Sequence, residues 1–301
     1  MISGSKPVGR FAPSPTGELH FGSLVAAVGG YLYTKSSGGK WLLRIEDLDP
    51  LREVPKASDR ILRALQAHGF EWDAEPIYQS RRNEAYVEAL NHLARSGELF
   101  GCDCSRKQIG QQSKRLGLDA GVYAGRCQER GLGLKRATVR VRLPEGCFEF
   151  EDRLLGRCRF DWKREVGPFV VRRRDGLFAY QLAVVVDDAF SGVTQVVRGR
   201  DLLSSTPMQV HIQRLLGLEP PEYAHLPLVL NAQGQKLSKQ TGAQPLRSDR
   251  ASENLFGALS FLGHRPPDEL LGASPAELLR WALENWRIEA IKGDKDATWG
   301  S

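Results

Sequence analysis

The chain has 301 residues, 41% of them hydrophobic and 26% charged, which excludes extensive disorder and leaves room for one large core or two modest domains. Lys and Arg outnumber Asp and Glu by 42 to 36, a formal charge of +6 that favours a polyanionic partner such as nucleic acid. Five cysteines, no charged start leading into an apolar run and no apolar segment of membrane-spanning length argue against a secreted disulfide scaffold or a membrane protein, so a cytoplasmic protein with reduced thiols is expected.

Val8 to Ala12 reads as a first strand and Leu24 to Tyr33 as a first helix, which Gly38-Gly39 ends. Between them Pro13 and Pro15 hold the backbone extended and Gly17 permits a sharp reversal. The free N–H groups of the helix then point at whatever sits above the strand end, a pocket for an anionic ligand. Trp41 to Ile45 is a second buried strand that runs into the acidic cluster Glu46-Asp47-Leu48-Asp49. Strand, glycine turn, helix and strand make a βαβ unit, which implies a parallel sheet with ligands at the carboxyl ends of its strands. Glu46 sits at such an end.

Amphipathic helices follow at about residues 55–68 and 81–96 and read as scaffold. The texture changes after Leu99, where Cys102, Cys104, Tyr123 and Cys127 punctuate a polar, basic segment. Short alternating runs over 138–143, 147–151, 159–162 and 169–173 then suggest an antiparallel insertion between two halves of a parallel fold. From Leu177 the α/β texture returns: a buried strand over 193–197 leading into Arg198, a helix over 206–216 with Pro207 in its first turn, and a further strand over 226–230. A turn then introduces Lys236-Leu237-Ser238-Lys239.

Arg10-Phe11-Ala12-Pro13-Ser14-Pro15-Thr16-Gly17 closely matches the opening of the glutamyl and glutaminyl branch of the class I aminoacyl-tRNA synthetases. His20-Phe21-Gly22-Ser23 stands where that branch has His-Ile-Gly-His, and Lys236-Leu237-Ser238-Lys239-Gln240 stands where it has Lys-Met-Ser-Lys-Ser. The chain resembles that family over most of residues 8–280. The fold implied is α/β, with a Rossmann-like parallel-sheet catalytic domain in two halves at residues 1–100 and 177–240. An inserted α+β zinc-containing subdomain at 101–176 and a short C-terminal helical region at 241–301 complete it. The resemblance implies glutamate contacts at Arg10, Ser14, Glu46, Tyr180 and Arg198, with Glu46 suited to the α-ammonium and Arg198 to the side-chain carboxylate. It implies ATP contacts, with Mg2+ accompanying the nucleotide, at His20, Gly22, Lys236 and Lys239, of which His20 and Lys239 are catalytic.

The chemistry of amino-acid activation fits these residue types. A carboxylate must attack the α-phosphate of ATP, so two anions are brought together while charge builds on the phosphoryl oxygens. His20 at a helix start can donate to the phosphates, and a lysine loop can clamp the β and γ groups. Two arginines directed to the ligand edge of the sheet suit a dicarboxylic substrate, because a guanidinium pairs bidentately with a carboxylate. Ser23 replaces the second signature histidine with a hydroxyl.

Cys102 and Cys104 offer two thiolates from one tight turn and Cys127 a third from a later loop, three corners of a tetrahedral and structural Zn2+ site. The resemblance implies Tyr123 as the fourth ligand; Cys147, a water or a carboxylate are the alternatives. The basic groups Arg136, Arg140, Arg142, Lys163, Arg164 and Arg172 to Arg174 fall in the insertion and are candidates for RNA phosphate contacts.

Residues 240–301 are too few for the long anticodon-binding region of the full-length enzymes, so the resemblance narrows to the family's short paralogues. Val197-Arg198-Gly199-Arg200-Asp201-Leu202-Leu203 matches that subgroup as well. The activity implied is tRNA-independent formation of glutamyl-adenylate, then transfer of glutamate to the cyclopentenediol of queuosine at the wobble position of tRNA(Asp). The anticodon arm of that tRNA would be the partner of a monomer. Three readings compete: a truncated glutamyl-tRNA synthetase-like enzyme charging a tRNA 3′ end, a non-RNA adenylate-forming enzyme of the same superfamily, and a non-catalytic regulatory paralogue.

Overall fold

A computed structural model of the chain describes residues 6–231, 233–237, 243–292 and the backbone of 297–298. Ser238, Lys239 and Gln240 lie outside the described residues. The first unit is β1 (Val8–Phe11), α1 (Phe21–Lys35) and β2 (Lys40–Ile45), with β1 and β2 parallel in the register Val8 to Lys40 through Phe11 to Leu43. This is the expected βαβ unit. Leu24, Val28 and Leu32 and also Ala27, Gly29 and Gly30 of α1 are buried, as befits a helix apolar on most of its faces and enclosed by other elements. Trp41 on β2 is fully buried, stacked on Phe70 at 5.5 Å and met edge-on by Tyr31 at 5.2 Å.

Next come α2 (Ala57–Ala67), β3 (Ile77–Tyr78) and α3 (Asn83–Arg95), the two helices matching the amphipathic stretches. The middle of the chain holds β4 (Leu99–Cys102), α4 (Arg106–Leu116), β5 (Thr138–Val141), β6 (Cys147–Asp152), β7 (Gly156–Asp161) and β8 (Val170–Arg172). Ser105 and Gln108 form a reciprocal capping box at the start of α4, and Gly117 ends it in the left-handed conformation. Strands β4, β5 and β8 make a small antiparallel sheet, and β6 with β7 makes an antiparallel hairpin, as the alternating runs suggest.

The hairpin does not stand apart from the main sheet. After α5 (Tyr180–Phe190), β9 (Gln195–Gly199), α6 (Thr206–Leu215) and β10 (Glu222–Leu226), the seven-stranded sheet runs β3-β2-β1-β9-β10-β6-β7, with β6 joined in parallel to β10 at Asp152 and Tyr223. The strand expected over 226–230 is instead β10 ending at Leu226 and a separate β11 (Val229–Leu230), because Pro227 has no N–H to continue the ladder. The chain closes with α7 (Ala251–Phe261), α8 (Pro275–Asn285) and β12 (Ala297–Thr298), which pairs with β11.

Alternate residues of the central strands serve opposite layers. Val197 and Ala224 pack with α1, α7 and α8, whereas Val196 and Tyr223 pack with α5 and α6. Because β2 and β9 flank β1 on either side, the order reverses between β1 and β9, and the carboxyl ends of these two strands bound a crevice of the kind where ligands bind in open α/β sheets.

Candidate active site

The turn from β1 into α1 is fixed from both sides. Gly17 has φ 138°, a region that L side chains rarely adopt. Glu46 N donates to Pro13 O at 3.0 Å and Val54 N to Pro15 O at 2.9 Å, so the turn is tied to the chain leaving β2. His20 is the N-cap of α1, and its Nδ1 accepts from Ser23 N at 3.3 Å. That bond leaves Nε2 as the protonated nitrogen of the neutral ring. A Cβ on Gly22 would come within 3.2 Å of the His20 ring, so this position keeps the helix start open.

A cleft of about 770 Å³ opens above this turn, lined among others by Arg10, Ser14, His20, Gly22, Tyr180, Arg198 and Lys236. Seven of the nine sequence-predicted substrate residues therefore meet in one place. Glu46 is not part of the lining: its carboxylate accepts from Arg44 Nη2 at 3.2 Å just behind it. Lys239 lies outside the described residues. Lys236 reaches Asp201, itself on the cleft wall, at 2.5 Å.

Behind the wall is a charge network that the sequence reading missed. Arg10 Nε donates to Asp188 at 3.2 Å, and Arg44 Nη1 to the same carboxylate at 2.5 Å. Burial pushes the Asp188 carboxyl up, but the Arg10 and Arg44 guanidiniums outweigh it and hold the group below the usual range. Glu46 behaves oppositely: burial raises it more than Arg44 and Arg10 lower it. Burial, followed by the charge of Glu46, raises Tyr180. The neighbouring Asp187 accepts from Gln79, Arg82 and Tyr86 and so fixes α5 against the segment that enters α3. Two acids inside the apolar run of α5 were the available signal for this network.

Arg198, at the end of β9 and 5% exposed, has a different environment. Its Nε donates to His225 Nε2 at 3.1 Å, its Nη1 to Gln209 Oε1 at 2.7 Å and its Nη2 to Thr206 Oγ1 at 2.9 Å. Among the described residues all of its hydrogen-bond partners are neutral groups. Its guanidinium also lies over the Tyr223 ring at 5.2 Å. His225 in turn meets Asp152 through Nδ1 at 2.6 Å. No local sequence pattern marks His225, Gln209 or Asp152.

Cys102, Cys104 and Cys127 place their sulfurs within 4.8 Å of one another, in a small core with Phe100, Ile109 and Tyr123. The Cys104 and Cys127 sulfurs are 3.5 Å apart, close to the edge of about 3.8 Å that tetrahedral zinc–thiolate bonds would give. The Tyr123 hydroxyl accepts from Cys127 N at 2.7 Å and lies 3.9 Å from the Cys104 sulfur. Burial and contact with Cys127 push the Cys104 thiol up to about 11. This donor set fits a zinc ion. Cys147 is elsewhere, with Arg159 donating to its sulfur at 3.2 Å, so it does not belong to the cluster.

Several of the arginines that are candidates for RNA contacts also have partners within the protein. Arg140 lies 4.2 Å over the Tyr123 ring and donates to Pro168 O, Arg172 donates to Leu134 O, and Arg173 bridges Asp49 and Asp175. Arg136, Lys163, Arg164 and Arg174 are exposed.

Among the described residues no helix is long and apolar enough to cross a membrane. The family model described as tRNA synthetases class I (E and Q), catalytic domain, matches residues 8–265. The glutamyl-Q tRNA(Asp) synthetase of Dechloromonas aromatica is 53% identical over 286 residues, covering 94% of this chain and 95% of its own. That of Pseudomonas aeruginosa PAO1 is 50% identical over 287 residues, covering 95% and 96%. A crystal structure of a glutamate tRNA ligase from Elizabethkingia meningosepticum, in complex with its amino acid, superposes with a TM-score of 0.82 at 24% identity. It covers 98% of this chain and 67% of the other, a likeness of fold. The Rossmann-like sheet, the matched catalytic domain and these relatives lead to one conclusion: the chain belongs to the class I tRNA synthetases of the glutamyl and glutaminyl type, a family of ligases, in the form shared with glutamyl-Q tRNA(Asp) synthetases.

Proposed function

We propose that the protein activates L-glutamate with ATP and Mg2+ to glutamyl-adenylate without needing tRNA, then transfers glutamate to the queuosine base at the wobble position of tRNA(Asp). The observation that carries this reading is Arg198, a buried guanidinium on the cleft wall whose described partners are all neutral. A desolvated cation with no carboxylate in hydrogen-bond contact is costly, and a ligand carboxylate would supply one. Each Nη of Arg198 spends one N–H on the protein among the described residues, which leaves one on each for a bidentate carboxylate. The glutamate side chain is the occupant, with Glu46 toward the α-ammonium and Arg10, Ser14 and Tyr180 around the rest of the amino acid.

In the first step a glutamate carboxylate oxygen bonds to the α-phosphorus and the bond to pyrophosphate breaks. His20 donates to the phosphates through Nε2–H, Gly22 allows close backbone approach, and Lys236 and Lys239 stabilise the departing charge. In the second step a queuosine hydroxyl oxygen bonds to the acyl carbon, AMP leaves with the electron pair, and the hydroxyl proton ends on the departing AMP. The names of the relatives at about 50% identity support this acceptor, the anticodon arm of tRNA(Asp). The enzyme acts as a monomer in the cytoplasm, with the insertion at 101–176 between the two halves of the catalytic domain.

Cys102, Cys104, Tyr123 and Cys127 would hold one structural Zn2+. It would cross-link the end of β4 to the 123–127 loop, where the apolar core is too small to do so alone. The decisive test is glutamate-dependent pyrophosphate exchange in the absence of tRNA. Exchange with glutamate and not with aspartate supports the reading; no exchange until tRNA is added contradicts it. One zinc per chain after extensive dialysis is expected, and a zinc-free native preparation of full activity would reject the metal assignment.

A further inference from the structure

We infer that Asp152 and His225 form a positioning pair that fixes the imidazole tautomer and thereby aims Arg198 at the substrate carboxylate. The inference deepens the proposed function and rests on it.

Asp152 belongs to β6, the hairpin strand that joins the main sheet beside β10, and His225 belongs to β10 itself. Both side chains are fully buried, 0% exposed. Asp152 Oδ2 lies 2.6 Å from His225 Nδ1, while Asp152 Oδ1 accepts from Leu154 N and Leu155 N at 3.0 Å each. A carboxylate that accepts at every contact requires the proton on Nδ1. The opposite nitrogen, Nε2, is then a lone-pair acceptor.

That acceptor is what Arg198 needs. Nε2 lies 3.1 Å from Arg198 Nε and 3.2 Å from Thr206 Oγ1, and Thr206 Oγ1 accepts from Arg198 Nη2. With no proton on Nε2 its single lone pair can take the Arg198 Nε–H, while Thr206 Oγ1 takes the Nη2–H of the same guanidinium. With the other tautomer, an imidazole N–H would face a guanidinium N–H. Gln209 completes the cradle: its Oε1 accepts from Arg198, and its amide nitrogen donates to Gln181, whose own amide nitrogen donates to Ser205. Neither Asp152 nor His225 lines the cleft, so neither touches the substrate directly. The proton held at Nδ1 gives Arg198 an oriented but uncharged neighbour and leaves its positive charge for the ligand.

The test uses Asp152→Asn and His225→Gln in the full chain. The asparagine keeps the Oδ1 that caps the 152–155 turn, yet replaces Oδ2 with a donor that favours the Nε2–H tautomer. It should raise the KM for glutamate in pyrophosphate exchange by about ten-fold or more and leave the KM for ATP within about two-fold. Discrimination against glutamine should fall as well. In His225→Gln the amide oxygen can stand where Nε2 stood, and this variant should retain a glutamate KM nearer the native value than His225→Leu does. Nitrogen-15 NMR of histidine-labelled protein at neutral pH should show an Nδ1–H ring for His225 that changes tautomer in Asp152→Asn. An Nε2–H ring in the unaltered protein overturns the inference, whatever the kinetics. Glutamate exchange in the unaltered enzyme with the glutamate and ATP KM values moving equally in Asp152→Asn, or neither moving, overturns the positioning role alone. No exchange in the unaltered enzyme overturns the proposed function beneath it.

Discussion

Arg10 and Arg198 on the cleft wall, and Arg44 and Asp188 behind it, are each at most 8% exposed and bonded to the protein at two or more points. Lys236 and Asp201, also on the wall, pair with side chains 43% and 33% exposed, and the chain at Leu237 passes beside Gly22 at the start of α1. The first group is built before the ligand arrives, with desolvated charges that hold one geometry. The second is a partly exposed ion pair beside His20 and the N–H groups of a helix start, and it costs little to exchange for another anion. An enzyme that must tell glutamate from its neighbours but bind and release a polyphosphate would place rigidity and adaptability in that order.

That contrast is most directly broken at Asp188. Asp188→Asn leaves Arg10 and Arg44 without their shared counter-ion and should lower unfolding stability by about 3 kcal/mol, read by denaturant titration. Arg198→Ala should act on the ligand rather than the fold, raising the KM for glutamate about 100-fold with little change for ATP. An unchanged glutamate KM would remove Arg198 from recognition.

Acid sharpens the comparison further. Burial lowers the pKa of His225, against the opposing bond to Asp152, and burial also lowers His68, His211 and His264. Asp152, Arg198 and Asp201 are the charged groups that act on His225. A histidine whose folded pKa is depressed takes up its proton first in the unfolded chain, so stability should fall as pH drops below about 6.5. Asp188 and Asp152 are depressed relative to unfolded aspartate. Their stabilisation is present above about pH 3.8 and disappears as pH falls through their lower folded values. Thermal melts from pH 8 to 3 should show both stages, and His225→Gln should flatten the first. The smallest effect belongs to the exposed pair: Lys236→Ala should shift stability by no more than about 0.5 kcal/mol while raising the KM for ATP a few-fold.

Much of this was legible in the sequence because its signals are local. The proline–glycine turn, the βαβ periodicity and the Cys-x-Cys spacing each act within a few residues, and each appears where the pattern placed it. The buried partners were not legible. Asp188 meets Arg10 across 178 positions, and His225 meets Asp152 across 73. In Phe148-Glu149-Phe150-Glu151-Asp152 the two glutamates alternate with the phenylalanines, which puts Asp152 on the apolar face of β6, but what it meets there depends on the docking of β6 on β10, a pairing with no local signature. Similarly, nothing local shows that Arg140 and Arg172, which read as part of a basic face, also meet aromatic and carbonyl partners within the protein.

Labelled glutamate and ATP, supplied with queuosine-containing or unmodified tRNA(Asp), should label only the queuosine-containing molecule, and trimming its 3′ end should leave the label in place. Equal labelling of the two tRNAs, or label lost with the 3′ terminus, would contradict the account.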